Sequence, residues 1–369
     1  MDGSVVSDIA DSNSKIDALT GLRWFAALAV VFDHNVPGGK TPRAITQFFM
    51  SGSMGVTVFF VLSGFVLAYS YEKRLNPITS KNLVEFYVNR LLRVYPLYLL
   101  AFCVVVLPDL GLLDGPWFQQ LFMIQTWNKN LDFVMGINAP SWSVSVEVFF
   151  YLCFPLILAA LRRIKDSFEN SVLLFLMICA ILIVGAVLFQ HQGWASLPPD
   201  NPASAHRWLY RSPIFRLSDF VLGIATFKMA QHCKGSISVK MANWIVAGSL
   251  VFILISMASP WPSESPWKYD ALFAIPSAVG IFGLVVATTR IGRILGWRPF
   301  VMLGECSYAF YILMAPVALF DGPLWFGFTF TGTFRFVFDL LIMILISYGA
   351  HVLIEEPARK YVKDHWIVN

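Results

Sequence analysis

The chain has 369 residues, of which 57% are hydrophobic and only 14% charged, with a mean hydropathy of +0.65. A water-soluble domain carries about 25% charged residues, so the composition excludes one and describes an all-α integral membrane protein. A formal net charge of +4 is too modest to indicate a nucleic-acid partner; what matters is where the positive charges fall.

In chain order, Met1–Lys15 is polar and carries Asp2, Asp8 and Asp11. The apolar run that follows ends in Asp33-His34-Asn35 rather than a small-residue cleavage site, so it is expected to be retained. At roughly 17–25 apolar residues per crossing, about ten spans are predicted. They fall near 19–36, 54–71, 91–107, 142–161, 172–190, 213–230, 242–259, 271–289, 301–320 and 334–354. The expected layout is a short cytoplasmic segment over 1–18, one polytopic domain over 19–356 and a cytoplasmic tail over 357–369. With the N-terminus inside, 19 of the 27 Lys and Arg residues fall on the inner side and seven on the outer. That bias follows the positive-inside rule and predicts both termini cytoplasmic. The five cysteines show no metal-type or CxxC spacing, so neither a metal site nor a disulfide is expected.

Polar residues within apolar spans are functional candidates, because leaving an ionisable group in hydrocarbon costs several kcal/mol. Arg23 and His34 are eleven residues apart on one predicted helix, about three turns and roughly 16 Å along its axis. A snorkelling arginine and a hydrogen-bonded core histidine would give the same pattern. Arg90 and Arg93, at the inner start of the third predicted span, share one helix face. Two guanidiniums suit capture of phosphate, and they also suit an ordinary inner-face anchor. Glu147 lies one turn after Ser143 near the outer start of the fourth span, where a carboxylate can orient and polarise an imidazole. Asp33 beside His34 offers the same service. The bland alternative for Glu147 is a helix-end carboxylate satisfied by neighbouring hydroxyls. Arg216 and Asp219 are spaced to pair, and a structural role is expected for them. Gly304 to Pro316 is rich in small and hydroxylated residues that suit close helix packing, and Pro357 is expected to end the last helix.

Taken together and in order, these motifs resemble acyltransferase family 3, the bacterial membrane-bound O-acyltransferases. The resemblance covers about Asp17 to Lys360. It rests on Leu19-Thr-Gly-Leu-Arg23 with His34, Phe59-Phe-Val-Leu-Ser-Gly-Phe65, and Arg90 with Arg93. It continues through Ser141-Trp-Ser-Val-Ser-Val-Glu147, Phe215-Arg-Leu-Ser-Asp-Phe220, Ser307-Tyr308 with Tyr311, and Glu355-Glu-Pro357. The family often has a histidine where this chain has Met314, so any role of that histidine is absent here. The hydrolase-like extra domain of some relatives is likewise not expected.

The resemblance implies a multi-pass enzyme of the bacterial inner membrane. It would move an acyl group, acetyl by default, from cytoplasmic acyl-CoA to a sugar hydroxyl at the outer face. Acyl-CoA is then a co-substrate held by Arg23, Arg90 and Arg93. His34 is the general base or an acyl-carrying relay, and Glu147 or Asp33 is its carboxylate partner. The expected acceptor is an exopolysaccharide or its lipid-linked repeat unit; relatives that modify O-antigen, peptidoglycan or macrolides share the motifs. The connections Pro108–Pro140 and His191–Ser212 are rich in Trp, Asn and Pro, which suits sugar binding and equally suits interfacial anchoring. A carrier of lipid-linked sugars is the competing class. The sequence lacks the inverted repeat and paired broken helices that such a carrier would show.

Overall fold

The computed structural model describes residues 3–34, 41–115, 117–259, 265–319 and 332–365. Among them there is no strand. The helices are α1 (Gly3–His34), α2 (Arg43–Met50), α3 (Met54–Tyr71), α4 (Ser80–Val106), α5 (Trp117–Leu121) and α6 (Leu131–Met135). Next come α7 (Trp142–Leu161), α8 (Phe168–His191), α9 (Pro213–Cys233), α10 (Val239–Ala258), α11 (Pro266–Tyr269) and α12 (Ala271–Val286). The chain closes with α13 (Arg290–Leu295), α14 (Arg298–Glu305), α15 (Ser307–Ile312), α16 (Met314–Leu319), α17 (Gly332–Ala350) and α18 (Glu356–His365).

Seven helical segments among the described residues are long and apolar enough to cross a membrane. They are Arg43–Tyr71, Ser80–Val106, Ala139–Leu161, Phe168–His191, Val239–Ala258, Pro266–Val286 and Phe336–Tyr361, and each contains most of one predicted span. With this many apolar helices the protein is a multi-pass membrane protein. Phe168–His191 is the most apolar, with a mean hydropathy of 3.2. Its Leu173, Leu176 and Val184 face outward, as expected where lipid is the solvent.

Three predicted spans differ. The stretch 19–36 falls largely in α1, which carries Asp17, Arg23 and Asp33, and 213–230 falls in α9 with Arg216, Asp219 and Lys228. Both are helical but too charged to qualify on composition. The ninth, 301–320, is broken into α14, α15 and α16, and its last residue lies outside the described set, as do residues 366–369 of the predicted tail. One cause of the break is chemical. Pro316 has no N–H for the Ile312 carbonyl four residues earlier, and that carbonyl instead accepts the Asn138 side-chain amide at 3.0 Å.

The third span is also longer than its apolar run. Thr79 caps α4, its hydroxyl accepting the Asn82 amide at 3.2 Å, so the helix starts eleven residues before the predicted position 91. Arg90 and Arg93 therefore lie in the middle of a 27-residue helix, at the start of its apolar run.

The chain forms two compact units, one of residues 1–73, 158–210 and 214–305, the other of 74–157, 211–213 and 306–369. In the first, α1 packs against α3, α12, α13 and α14, and α3 packs against α12. Close approach is secured by glycines. A Cβ on Gly52 would collide with the Ala29 carbonyl and crowd the Asp33 amide, and one on Gly64 would strike the Phe220 carbonyl. Such small-residue contacts let helix backbones touch where no hydrophobic effect drives association. In the second unit, α4 and α7 run antiparallel, with Phe86 stacked on Phe154 at 5.5 Å and Tyr98 near Ser141. The segment between them is pinned by a buried polar network. Tyr98 Oη donates to the Gln120 carbonyl (2.6 Å), Ser141 Oγ to Gln120 Oε1 (3.1 Å), and Gln125 Nε2 to the Ser141 carbonyl (3.0 Å).

Candidate active site

The predicted site residues divide between the units: Arg23, Asp33 and His34 in the first, Arg90, Arg93 and Glu147 in the second.

In the first unit, α1 is continuous from Arg23 to His34, so the predicted three-turn separation holds. Arg23 and Asp33 are partly buried, and His34 is exposed at the last residue of the helix. His34 Nδ1 lies 2.9 Å from the Val30 carbonyl oxygen. A carbonyl only accepts, so Nδ1 is the donor and Nε2 is the ring nitrogen left to meet another group. Phe32 meets Phe49 of α2 at 5.0 Å, holding this end of α1 against the turn that enters α3.

Beneath that turn lies a buried cation that no sequence pattern had marked. Lys268 is 3% exposed, and its Nζ donates to Ser51 Oγ at 3.1 Å and to the Ser259 carbonyl at 3.4 Å. Two residues on, Asp270 joins the predicted Arg216–Asp219 pair. Arg216 Nη2 lies 3.2 Å from Asp219 Oδ2 and Nη1 lies 3.2 Å from Asp270 Oδ1, all three side chains being almost wholly buried. Arg216 also donates to Thr57 Oγ1 (2.7 Å) and the Tyr269 carbonyl (2.9 Å). One guanidinium thus ties α3, α9 and the α11–α12 junction together. The i,i+3 spacing exposed the first carboxylate; the second is 51 residues away from it and needed the fold.

In the second unit the mid-helix arginines meet the Glu147 turn. The Tyr151 hydroxyl, one turn after Glu147, is hydrogen-bonded to the Glu147 carboxylate, and Arg90 and Arg93 act on the same phenol. Arg90 Cζ lies 6.0 Å from the Tyr151 ring centroid. The nearby Ser143 hydroxyl is engaged elsewhere, with the Pro140 carbonyl at 3.2 Å and Tyr311 Oη at 3.0 Å. Tyr308 Oη donates to the Val94 carbonyl at 2.8 Å, next to Arg93. The arrangement is two cations, a carboxylate and phenols gathered within the helical part of this unit, and it can hold an anionic group beside hydrogen-bonding groups.

A family model described as an acyltransferase domain matches residues 16–352. The acyltransferase MdmB of Streptomyces mycarofaciens is 30% identical over 325 residues, covering 81% of this chain and 78% of MdmB. The O-acetyltransferase OatA of Staphylococcus aureus is 23% identical over 369 residues, covering 94% of this chain and 57% of OatA. A putative peptidoglycan O-acetyltransferase of Bacillus subtilis, YrhL, is 25% identical over 337 residues, covering 84% of this chain and 49% of YrhL. The chain therefore spans about half the length of the latter two. No solved structure matches it.

Proposed function

The chain belongs to the acyltransferase family, and on that premise we propose that it transfers an acetyl group from acetyl-CoA to a hydroxyl of an exopolysaccharide or its lipid-linked repeat unit, in the inner membrane of a bacterium. The observation that carries the assignment of chemistry is the contact of His34 Nδ1 with the Val30 carbonyl, which leaves Nε2 to meet the acceptor.

In this reading His34 Nε2 takes the proton of the acceptor hydroxyl as its oxygen attacks the thioester carbonyl. The C–S bond then breaks, and the imidazolium returns the proton to the departing thiolate. An ester and free CoA result, with no net change of charge. Asp33, adjacent on the same helix end, stabilises the imidazolium. Glu147 is assigned to the arginine pair and Tyr151, which favours a role in holding the donor. Arg90 and Arg93 take the phosphates of CoA, since paired guanidiniums match phosphate oxygens; Arg23, in the other unit, is a separate candidate for an anionic group of the donor.

Membranes carrying the wild-type chain, given labelled acetyl-CoA, are expected to incorporate acetyl into saccharide. Membranes with His34→Ala at equal abundance are not. Label that persists in the variant would remove His34 from the chemistry.

A further inference from the structure

The last long helix changes pitch where it ends. Between α17 and α18, residues His351–Glu355 form a π turn, a rare geometry that recurs at functional sites. It buries two titratable side chains, His351 and Glu355, each 4% exposed. His351 Nδ1–H donates to Glu355 Oε2 at 2.7 Å, and the Arg359 guanidinium lies 3.6 Å from the same oxygen. The other oxygen, Oε1, is buried with no hydrogen-bond partner. An acceptor held in that state is costly unless an incoming donor meets it.

The surroundings narrow what that donor is. The π turn packs against α4, the helix that carries Arg90 and Arg93. Tyr308, bonded to the carbonyl beside Arg93, feels both Glu355 and Glu147. Its neighbour Ser307 is fully buried, with a hydroxyl that also lacks a partner. Cations next to carboxylates suit a ligand whose anionic group is followed by neutral N–H and O–H donors. A phosphate would be repelled by Glu355; an amide or hydroxyl would not.

We propose that Glu355 contacts substrate, its Oε1 receiving an N–H or O–H of the neutral arm that joins the phosphates of a bound acyl-CoA to its thioester, and that His351 is the positioning residue that aims it. The assignment rests on the acyl-CoA reading above and adds a contact to it. The second carboxylate oxygen is held by His351, so rotation of the carboxyl is suppressed and Oε1 stays presented.

The test is equilibrium binding to the full chain in detergent, with two probes. One is CoA; the other is the adenosine bisphosphate that forms its far end and lacks the arm. Glu355→Gln is expected to weaken CoA about 10-fold, the loss of one hydrogen bond to a charged group, while the bisphosphate binds as to wild type. His351→Leu should reproduce that split, and His351→Gln, which keeps an N–H donor, should restore most of the affinity. Arg93→Ala should weaken both probes. Retained bisphosphate binding certifies that the Glu355 and His351 variants are folded. Unchanged CoA binding by Glu355→Gln, or equal loss of both probes, would overturn the assignment while leaving the acyl-CoA reading intact. A wild-type chain that binds neither probe overturns both.

Discussion

His34 closes α1 by donating its Nδ1–H to the carbonyl of Val30, one turn earlier and 2.9 Å away. The bond ties the ring back onto the last turn of α1 and makes Nδ1 the donor nitrogen. Because the side chain is otherwise exposed, its removal should leave the fold intact. We expect His34→Ala to shift stability by no more than about 0.5 kcal/mol. Acetyl transfer should fall about 10²–10⁴-fold, the usual worth of a general base. A melting curve beside a transfer assay on one preparation checks both halves.

Arg90 and Arg93 lie about 15 and 20 Å along α4 from its first residue, where its polar first turns give way to the apolar run. A snorkelling anchor tolerates lysine in place of arginine; a bidentate phosphate ligand does not. The expected outcome for Arg93→Lys is a KM for acetyl-CoA raised about 10-fold or more, with a smaller change in kcat. Steady-state kinetics with acetyl-CoA varied is the measurement, and an unchanged KM would return Arg93 to anchoring.

The glycines offer a contrast free of catalysis. Gly52 and Gly64 each face a carbonyl oxygen of a neighbouring helix, whereas nothing lies within 4 Å of the Cβ position of Gly248. Gly52→Ala and Gly64→Ala should destabilise by about 1–3 kcal/mol through overpacking. Gly248→Ala should be neutral or stabilising by up to about 1 kcal/mol, because alanine favours helix. Thermal unfolding in detergent orders the three.

Arg216 is the cation for two buried carboxylates, Asp219 and Asp270. Replacing it with methionine keeps most of the volume and leaves both acids without their counter-ion, at a cost of about 3–5 kcal/mol. Poor accumulation of Arg216→Met in the membrane is therefore expected. Asp270→Asn in the same background should recover part of the loss, since it removes one of the stranded charges. Abundance and melting temperature of the single and double variants decide it.

What the sequence determined by itself was class, most of the spans and the identity of the chemical groups. Apolar runs of the required length are a local property, so seven of the predicted spans reappear as helices fit to cross a membrane. The Arg23–His34 spacing lies within one continuous helix, where distance follows from residue count. The Arg216–Asp219 pair was legible for the same reason. What the tertiary structure decided was everything set by contacts between distant segments. The Thr79 cap moved the start of α4 and with it the place of Arg90 and Arg93 along the helix. Asp270 reached Arg216 only because α9 and the α11–α12 junction pack together. The break at Pro316 is supported by Asn138, 174 residues from Ile312. His351 and Glu355 are four residues apart and so within local reach too, but their burial and the π turn that holds them were visible only in the structure. Periodicity reports which face of a helix is apolar; only packing decides which polar groups face one another, because that depends on neighbours the local sequence does not contain.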